Sequence, residues 1–289
     1  MNNSVIAIGA LGGSGTRVCA QILLNLGIFM GDDLNIERDN LLFTRLFKNP
    51  RWFNESSRKE KERRFSLFIK CMTGESLSIT EKLEIIYACY TNSTFKSNWR
   101  YLLKMDFLQR PRFGKVTNIW GWKEPNTLMY MEELANFIPN FKYIHVIRHG
   151  LDMAFSENKQ QLKNWGYKFG VHLIEHSDKN DLARKQLDYW ISSNKYVVNI
   201  GEKMDKKFCL VNYQTLCEYP EVEIKKILNF LDIKVSDELM NTLISIPKND
   251  SRNCRYLDED ITIFNPEQIR EVKNLGFEVK GYSFANFSR

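Results

Sequence analysis

VIAIGALGGSGTRVCAQILLNLG, residues 5–27, is the stretch from which the rest of the chain is read. Val5-Ile6-Ala7-Ile8 is a short, largely β-branched apolar run that predicts a buried strand. A turn follows, built from Gly9, Gly12, Gly13, Ser14 and Gly15. Beyond it Val18, Ile22, Leu23 and Leu26 recur at helical spacing, and Gly27 stands where a helix would stop. Strand, glycine-rich turn and helix form the layout of a phosphate-binding loop. Glycines let backbone N–H groups turn inward, and the new helix offers its unpaired N–H groups and positive dipole end to an anion. A nucleoside-triphosphate loop would read G-x-x-x-x-G-K-[ST]. Counted from Gly9, its second glycine falls on Ser14 and its lysine on Gly15, while Thr16 fills the hydroxyl position. Without the lysine the case for ATP or GTP is weak.

The chain has 289 residues, 43% hydrophobic and 26% charged, which fits an ordinary globular α/β protein. A chain of this length buries roughly 75% of its unfolded surface, so it needs no disulfide or metal staple. The formal charge of +6 is a mild excess that favours anionic ligands and does not by itself argue for nucleic acid. Cys19, Cys71, Cys89, Cys209, Cys217 and Cys254 are scattered without a C-x-x-C pair, which predicts a reduced, cytoplasmic protein. No signal peptide and no apolar run of about 18 residues is seen, so no membrane span is expected. Nothing in the sequence sets the oligomeric state.

Along the chain, Asn40 to about Gln109 lacks strand-like alternation and reads as a helical insertion, with patches at 41–47, 62–72 and 79–90. The mixed-sign run Arg58 to Arg64 reads as a solvated helix face. Strands are predicted at 116–122, 141–147 and 208–211, and helices at 127–137, from about 151, at 179–204, at 221–231 and at 266–275. This alternation predicts an α/β fold with a central, mostly parallel sheet in one domain, residues 1–289.

Arg148 stands at the carboxyl end of the strand 141–147, where open α/β sheets bind ligands. Ser156 follows eight residues later, placed by this reading inside the next helix. An arginine there with a hydroxyl beyond it can form a second anion site. In this setting the turn ending Ser14-Gly15-Thr16 resembles the phosphosulfate loop of the sulfotransferases, which use 3′-phosphoadenosine 5′-phosphosulfate (PAPS) as donor. Arg148-His149-Gly150-Leu151-Asp152-Met153-Ala154-Phe155-Ser156 resembles their 3′-phosphate motif, although a proline often seen after the arginine is missing. Val211 to Pro220 is similar to the family's Y-E-D-L segment, whose tyrosine lies beside the adenine. Tyr213 matches there, while Gln214 and Thr215 replace the acids. Lys123-Glu124-Pro125 resembles the K-x-P segment whose lysine faces the transferring sulfonate.

The resemblance, as ordered landmarks from Val5 to about Leu231, implies a P-loop-like three-layer fold with a helical insertion. It also implies transfer of sulfonate from PAPS to a hydroxyl or amine of a carbohydrate or small-molecule acceptor, releasing adenosine 3′,5′-bisphosphate. Gly12, Gly13, Ser14, Gly15, Thr16 and Arg17 would cradle the phosphosulfate. Arg148 and Ser156 would hold the 3′-phosphate, Arg252 or Arg255 would close over it from the tail, and Tyr213 would border the adenine. Many relatives carry Lys or Arg where this chain has Gly13. Transition-state charge would then fall to Arg17 or Lys123.

An acceptor hydroxyl must lose its proton, so a carboxylate or histidine is expected nearby. Glu124 leads, Asp39 and Asp33 are alternatives, His145 reads as a core histidine, and His149 is placed to donate to the 3′-phosphate. No metal is required. Two alternatives remain, a P-loop nucleotide kinase and a nucleotide-binding protein without turnover. His172-Leu173-Ile174-Glu175-His176 has a zinc spacing, but it is short and lacks a second ligand motif. Among the tryptophans, Trp120 or Trp122 could line an acceptor site, with core packing as the plainer reading, and Trp99 and Trp165 are also noted.

Overall fold

β1 (Ser4–Ala10) is buried from Ile6 onward, as its apolar run requires. It pairs in parallel with β2 (Ile119–Lys123), with Ser4 opposite Ile119 and Ile8 opposite Lys123. With β3 (Phe141–Ile147) and β4 (Phe208–Asn212) these strands form one sheet in the order β2-β1-β3-β4. The computed structural model describes residues 4–91, 119–173, 178–248 and 254–282. The predicted start of β2 at 116–118, the end of the insertion at 92–110, Trp99 and Arg252 lie outside them.

The chain divides into two compact units, one of residues 1–9 and 19–143, the other of residues 10–18 and 144–289. The first unit holds most of α1 (Thr16–Asn25) and the insertion helices α2 (Leu41–Phe47), α3 (Pro50–Glu55), α4 (Arg58–Thr73) and α5 (Ile79–Thr91). Local chemistry sets their ends. Asn40 caps α2, and a Ser57–Glu60 capping box opens α4, which stops at Gly74 in the left-handed region. Their shared core is aromatic. Phe43 stacks on Trp122 at 5.4 Å and meets Phe47 at 4.5 Å, and the Tyr130 hydroxyl donates to the Phe47 carbonyl at 2.7 Å. Each ring so buried contributes roughly 1.5–3 kcal/mol.

Two expectations are corrected in this unit. Arg64 does not lie on a solvated face. Its guanidinium sits 3.5 Å from the Trp52 ring centre and donates to the Leu46 carbonyl at 2.9 Å, and burial lowers its pKa to about 10. The predicted helix 127–137 is a 3₁₀ segment, Pro125–Tyr130, followed by α6 (Met131–Phe137). Pro125 opens that segment, the Glu124 side chain caps the Asn126 N–H, and Trp122 Nε1 donates to Thr127 Oγ1 at 3.1 Å.

The second unit holds α7 (Gly150–Ala154), α8 (Gln160–Trp165), the long α9 (Lys179–Lys203), α10 (Tyr213–Glu218), α11 (Pro220–Leu231), α12 (Asp237–Ile244) and α13 (Pro266–Asn274). Leu187, Trp190 and Val197 bury one side of α9, and Trp190 Nε1 donates to the Arg148 carbonyl at 3.0 Å. The helix thereby fixes the strand end that bears Arg148. Among the described residues, no helix is long and apolar enough to cross a membrane.

Candidate active site

The loop between β1 and α1 is braced from within its own unit. The Gly12 N–H donates to Gln161 Oε1 at 2.6 Å, and Gln161 Nε2 donates to the Ala10 carbonyl at 3.2 Å. Ser14 N–H reaches back to the Leu11 carbonyl at 3.1 Å. Ser14 and Thr16 are buried, whereas Gly13 and Arg17 are exposed. Gly13 at φ +96° and Gly15 at φ +92° occupy the left-handed region that disfavours a side chain. Gly15 is also closely approached, since a Cβ there would lie 2.1 Å from Tyr213 Cδ2. α1 begins with no acidic residue in its first turn, so its positive end is not offset locally.

Arg148, from the end of β3, comes to the same loop. Its Nη1 donates to the Gly13 carbonyl at 3.3 Å, and its guanidinium carbon lies 5.3 Å from the Tyr213 ring centre. Its Nε is 4.0 Å from Asp152 Oδ2. Loop, Arg148 and Tyr213 thus meet although they are far apart in sequence. Ser156 lies beyond α7, not inside it. The helix ends at Ala154, and Gln186 of α9 donates to the Met153, Ala154 and Ser156 carbonyls around that end. The Ser156 hydroxyl accepts from the Asn158 N–H at 3.3 Å.

The tail docks on Asp152, whose buried carboxylate accepts the Cys254 and Tyr256 N–H groups at 3.0 and 3.2 Å. Arg255 Nε donates to the Asp152 carbonyl at 2.8 Å, so this candidate is anchored on α7, just past Arg148. The expectation for His149 is corrected. Its Nδ1 accepts the Leu151 N–H at 3.2 Å, which assigns the proton to Nε2, facing the Glu278 carbonyl at 2.8 Å. Burial lowers its pKa, and both nitrogens serve the fold instead of a phosphate. His145 is a core histidine, held by Asn194 at 2.8 Å and lowered to about 4 by burial.

In the other unit, β2 ends in Lys123 and Glu124, both buried. Lys123 Nζ donates to Asp39 Oδ1 at 2.5 Å and to the Glu37 carbonyl at 2.9 Å. Glu124 accepts from the Asn126 N–H and from Asn126 Nδ2 at 2.6 and 2.8 Å. Burial first, then the Asp39 charge, pushes the Glu124 carboxyl up to about 7. Asp33 is paired with buried Arg45 at 2.9 Å. Trp122 and Trp165 are fully buried and Trp120 nearly so, which favours the core reading. Of the zinc-like motif, Glu175 and His176 lie outside the described residues.

The Glu124 shift carries a stability prediction. A carboxyl raised above its unfolded value stabilises the fold below that value, and the contribution is lost as pH rises through the folded value. Between pH 4.5 and about 7, wild type is expected to lose about 3 kcal/mol relative to Glu124→Gln, read from urea unfolding. His145 acts oppositely, costing stability as pH falls from 6.5 to about 4. The difference between the two proteins therefore isolates Glu124. Parallel curves would contradict the assignment.

A model described as "Sulfotransferase family" matches residues 7–237. The chain belongs to the sulfotransferase family. Protein-tyrosine sulfotransferase A of Caenorhabditis elegans is 28% identical over 120 residues, 41% of this chain and 29% of that protein. The match thus spans under a third of that relative's length. The sulfotransferase domain from the curacin biosynthetic pathway superposes with a TM-score of 0.50 at 15% identity, covering 96% of this chain and 99% of that one. Sulfotransferase STF9 from Mycobacterium avium gives 0.49 at 13% identity, covering 97% and 79%. At such identities the curacin-pathway domain speaks for the fold alone.

Within this member of the sulfotransferase family, the structure brings Gly12 to Thr16, Arg148 and Tyr213 together and anchors Arg255 on α7. Sequence reasoning missed Gln161 as the loop's brace and Asn35 as the clamp on Asp39. Neither sits in a recognisable spacing. Asp152 was visible within the motif, though not its grip on the tail.

Proposed function

We propose that this sulfotransferase-family chain transfers the sulfonate of PAPS to a hydroxyl or amine of a carbohydrate or small-molecule acceptor, releasing adenosine 3′,5′-bisphosphate. The observation that carries the reading is Arg148 reaching the Gly13 carbonyl while Tyr213 packs on Gly15. A cation and an aromatic face at a glycine-rich loop suit a 3′-phosphorylated adenine nucleotide. Gly12 to Thr16 and Arg17 bind the phosphosulfate, Arg148 and Ser156 bind the 3′-phosphate with Arg252 or Arg255, and Tyr213 borders the adenine. The acceptor oxygen or nitrogen attacks sulfur, the sulfur–oxygen bond to phosphate breaks, and the electron pair leaves on that phosphate. Glu124 takes the acceptor's proton, and Lys123 and Arg17 offset the growing charge. Residues 1–289 act as one domain, the transfer needs no metal, and the protein works in the cytoplasm, where its free thiols would stay reduced.

Gly13 favours one second reading, nucleotide binding without turnover. It is exposed, and it supplies no side-chain cation where many relatives have one. The test is incubation with ³⁵S-labelled PAPS and a panel of sugars, phenols and amines. Labelled product with release of adenosine 3′,5′-bisphosphate is expected. Tight binding with no release across the panel would favour the second reading, and turnover of ATP–magnesium instead would indicate a kinase.

A further inference from the structure

Asp39 is held more firmly than a loop carboxylate needs to be. Its Oδ1 takes the Lys123 ammonium, and its Oδ2 accepts Asn35 Nδ2 at 3.0 Å. Asn35 Oδ1 accepts the Asp39 N–H at 2.8 Å, and the Asn35 N–H donates to the Asp39 carbonyl at 3.2 Å. Arg38, at φ +62°, closes the turn between them. The Asn40 N–H then donates to the Lys123 carbonyl at 2.7 Å, tying this turn to the end of β2. The Lys123 side chain is 3% exposed and that of Asp39 20%. A buried ammonium at such a site needs a counter-charge and a fixed geometry, and the Asn35–Asp39 clamp supplies both.

We propose that Asp39 is a positioning residue for sulfonate transfer. It fixes the Lys123 ammonium at the end of β2 and sets a negative charge beside the Lys123–Glu124 pair. The inference rests on the proposed roles of Lys123 and Glu124. Asp39 is already committed to the Lys123 ammonium through Oδ1. Its charge holds the proton on Glu124, while Lys48 and Lys123 act to release it. One carboxylate thereby tunes both the cation and the base. Lysine and glutamate lie next to each other in sequence, and the turn at 35–39 brings a carboxylate to them.

The test uses the full chain as wild type, Asp39→Asn, Asp39→Glu and Asn35→Ala, each first shown to be folded by its unfolding transition. In the free protein, the ¹³C-labelled Glu124 carboxyl, assigned with Glu124→Gln, is titrated by NMR. Asp39→Asn is expected to weaken its proton affinity about tenfold. Adenosine 3′,5′-bisphosphate binding, measured by calorimetry, should stay within about twofold, while its release from PAPS slows at least about tenfold. Asp39→Glu should recover most of that rate, and Asn35→Ala should fall between. An unmoved Glu124 titration, parallel losses of binding and turnover, or Asp39→Glu no better than Asp39→Asn would overturn the proposal. A wild type that neither binds the bisphosphate nor releases it overturns the proposed function instead, and the NMR titration still decides whether Asp39 acts on Glu124.

Discussion

Arg148→Ala is expected to weaken binding of adenosine 3′,5′-bisphosphate by about 10²- to 10³-fold while changing AMP binding by less than about threefold. Arg148 is 4% exposed and already reaches the loop through Nη1. A phosphate bound there would be drawn from water against a guanidinium that presents paired donors. Truncating one partner of such a pair costs roughly 2–5 kcal/mol, about 30- to 5,000-fold, and the stated loss lies in the middle of that span. AMP lacks the 3′-phosphate, so it should not register the change. Trp190 holds the Arg148 carbonyl, not its side chain, so the strand end stays in place in the variant. Calorimetric titrations of both nucleotides into both proteins read the difference. Equal losses for the two nucleotides would remove the 3′-phosphate assignment.

Gly15→Ala is expected to abolish nucleotide binding and to lower stability by roughly 2–4 kcal/mol. Two effects add. The backbone stands at φ +92°, and the new methyl would meet Tyr213 Cδ2 and Cε2 at 2.1 and 2.2 Å. Tyr213 is nearly buried and sits by Arg148, so it cannot yield without moving the neighbourhood of the guanidinium. Gly13→Ala is the control, because φ there is +96° but the nearest atom to a methyl is Met153 Cε at 3.8 Å. It should show the backbone cost alone, roughly 1–2 kcal/mol, and retain binding. Urea unfolding and calorimetry check both. Equal effects of the two substitutions would mean that Tyr213 does not press on the loop.

Strand β3 is legible in the sequence because its signal is local. FKYIHVI is mostly apolar, with Lys142 and His145 the exceptions, and the chain breaks at Arg148-His149-Gly150. The loop is equally legible, since positive φ at Gly13 and Gly15 demands glycine there. The position of Ser156 is not legible in local spacing, because the chain past Ala154 is held by Gln186, thirty residues on. The role of His149 is hidden for a similar reason, as the carbonyl it faces belongs to Glu278. The tie between Lys123 and Asp39 spans 84 positions and depends on how the turn at 35–39, ahead of the insertion, folds back. Local pattern thus located the groups that point at ligands, while the partners that hold them came from tertiary packing.

The most direct test of the donor assignment is calorimetric titration of the full chain with adenosine 3′,5′-bisphosphate, with AMP and ATP–magnesium as controls. Tight binding of the bisphosphate and weak binding of both controls is the predicted result. Preference for ATP–magnesium, or no binding of any of the three, would contradict the account.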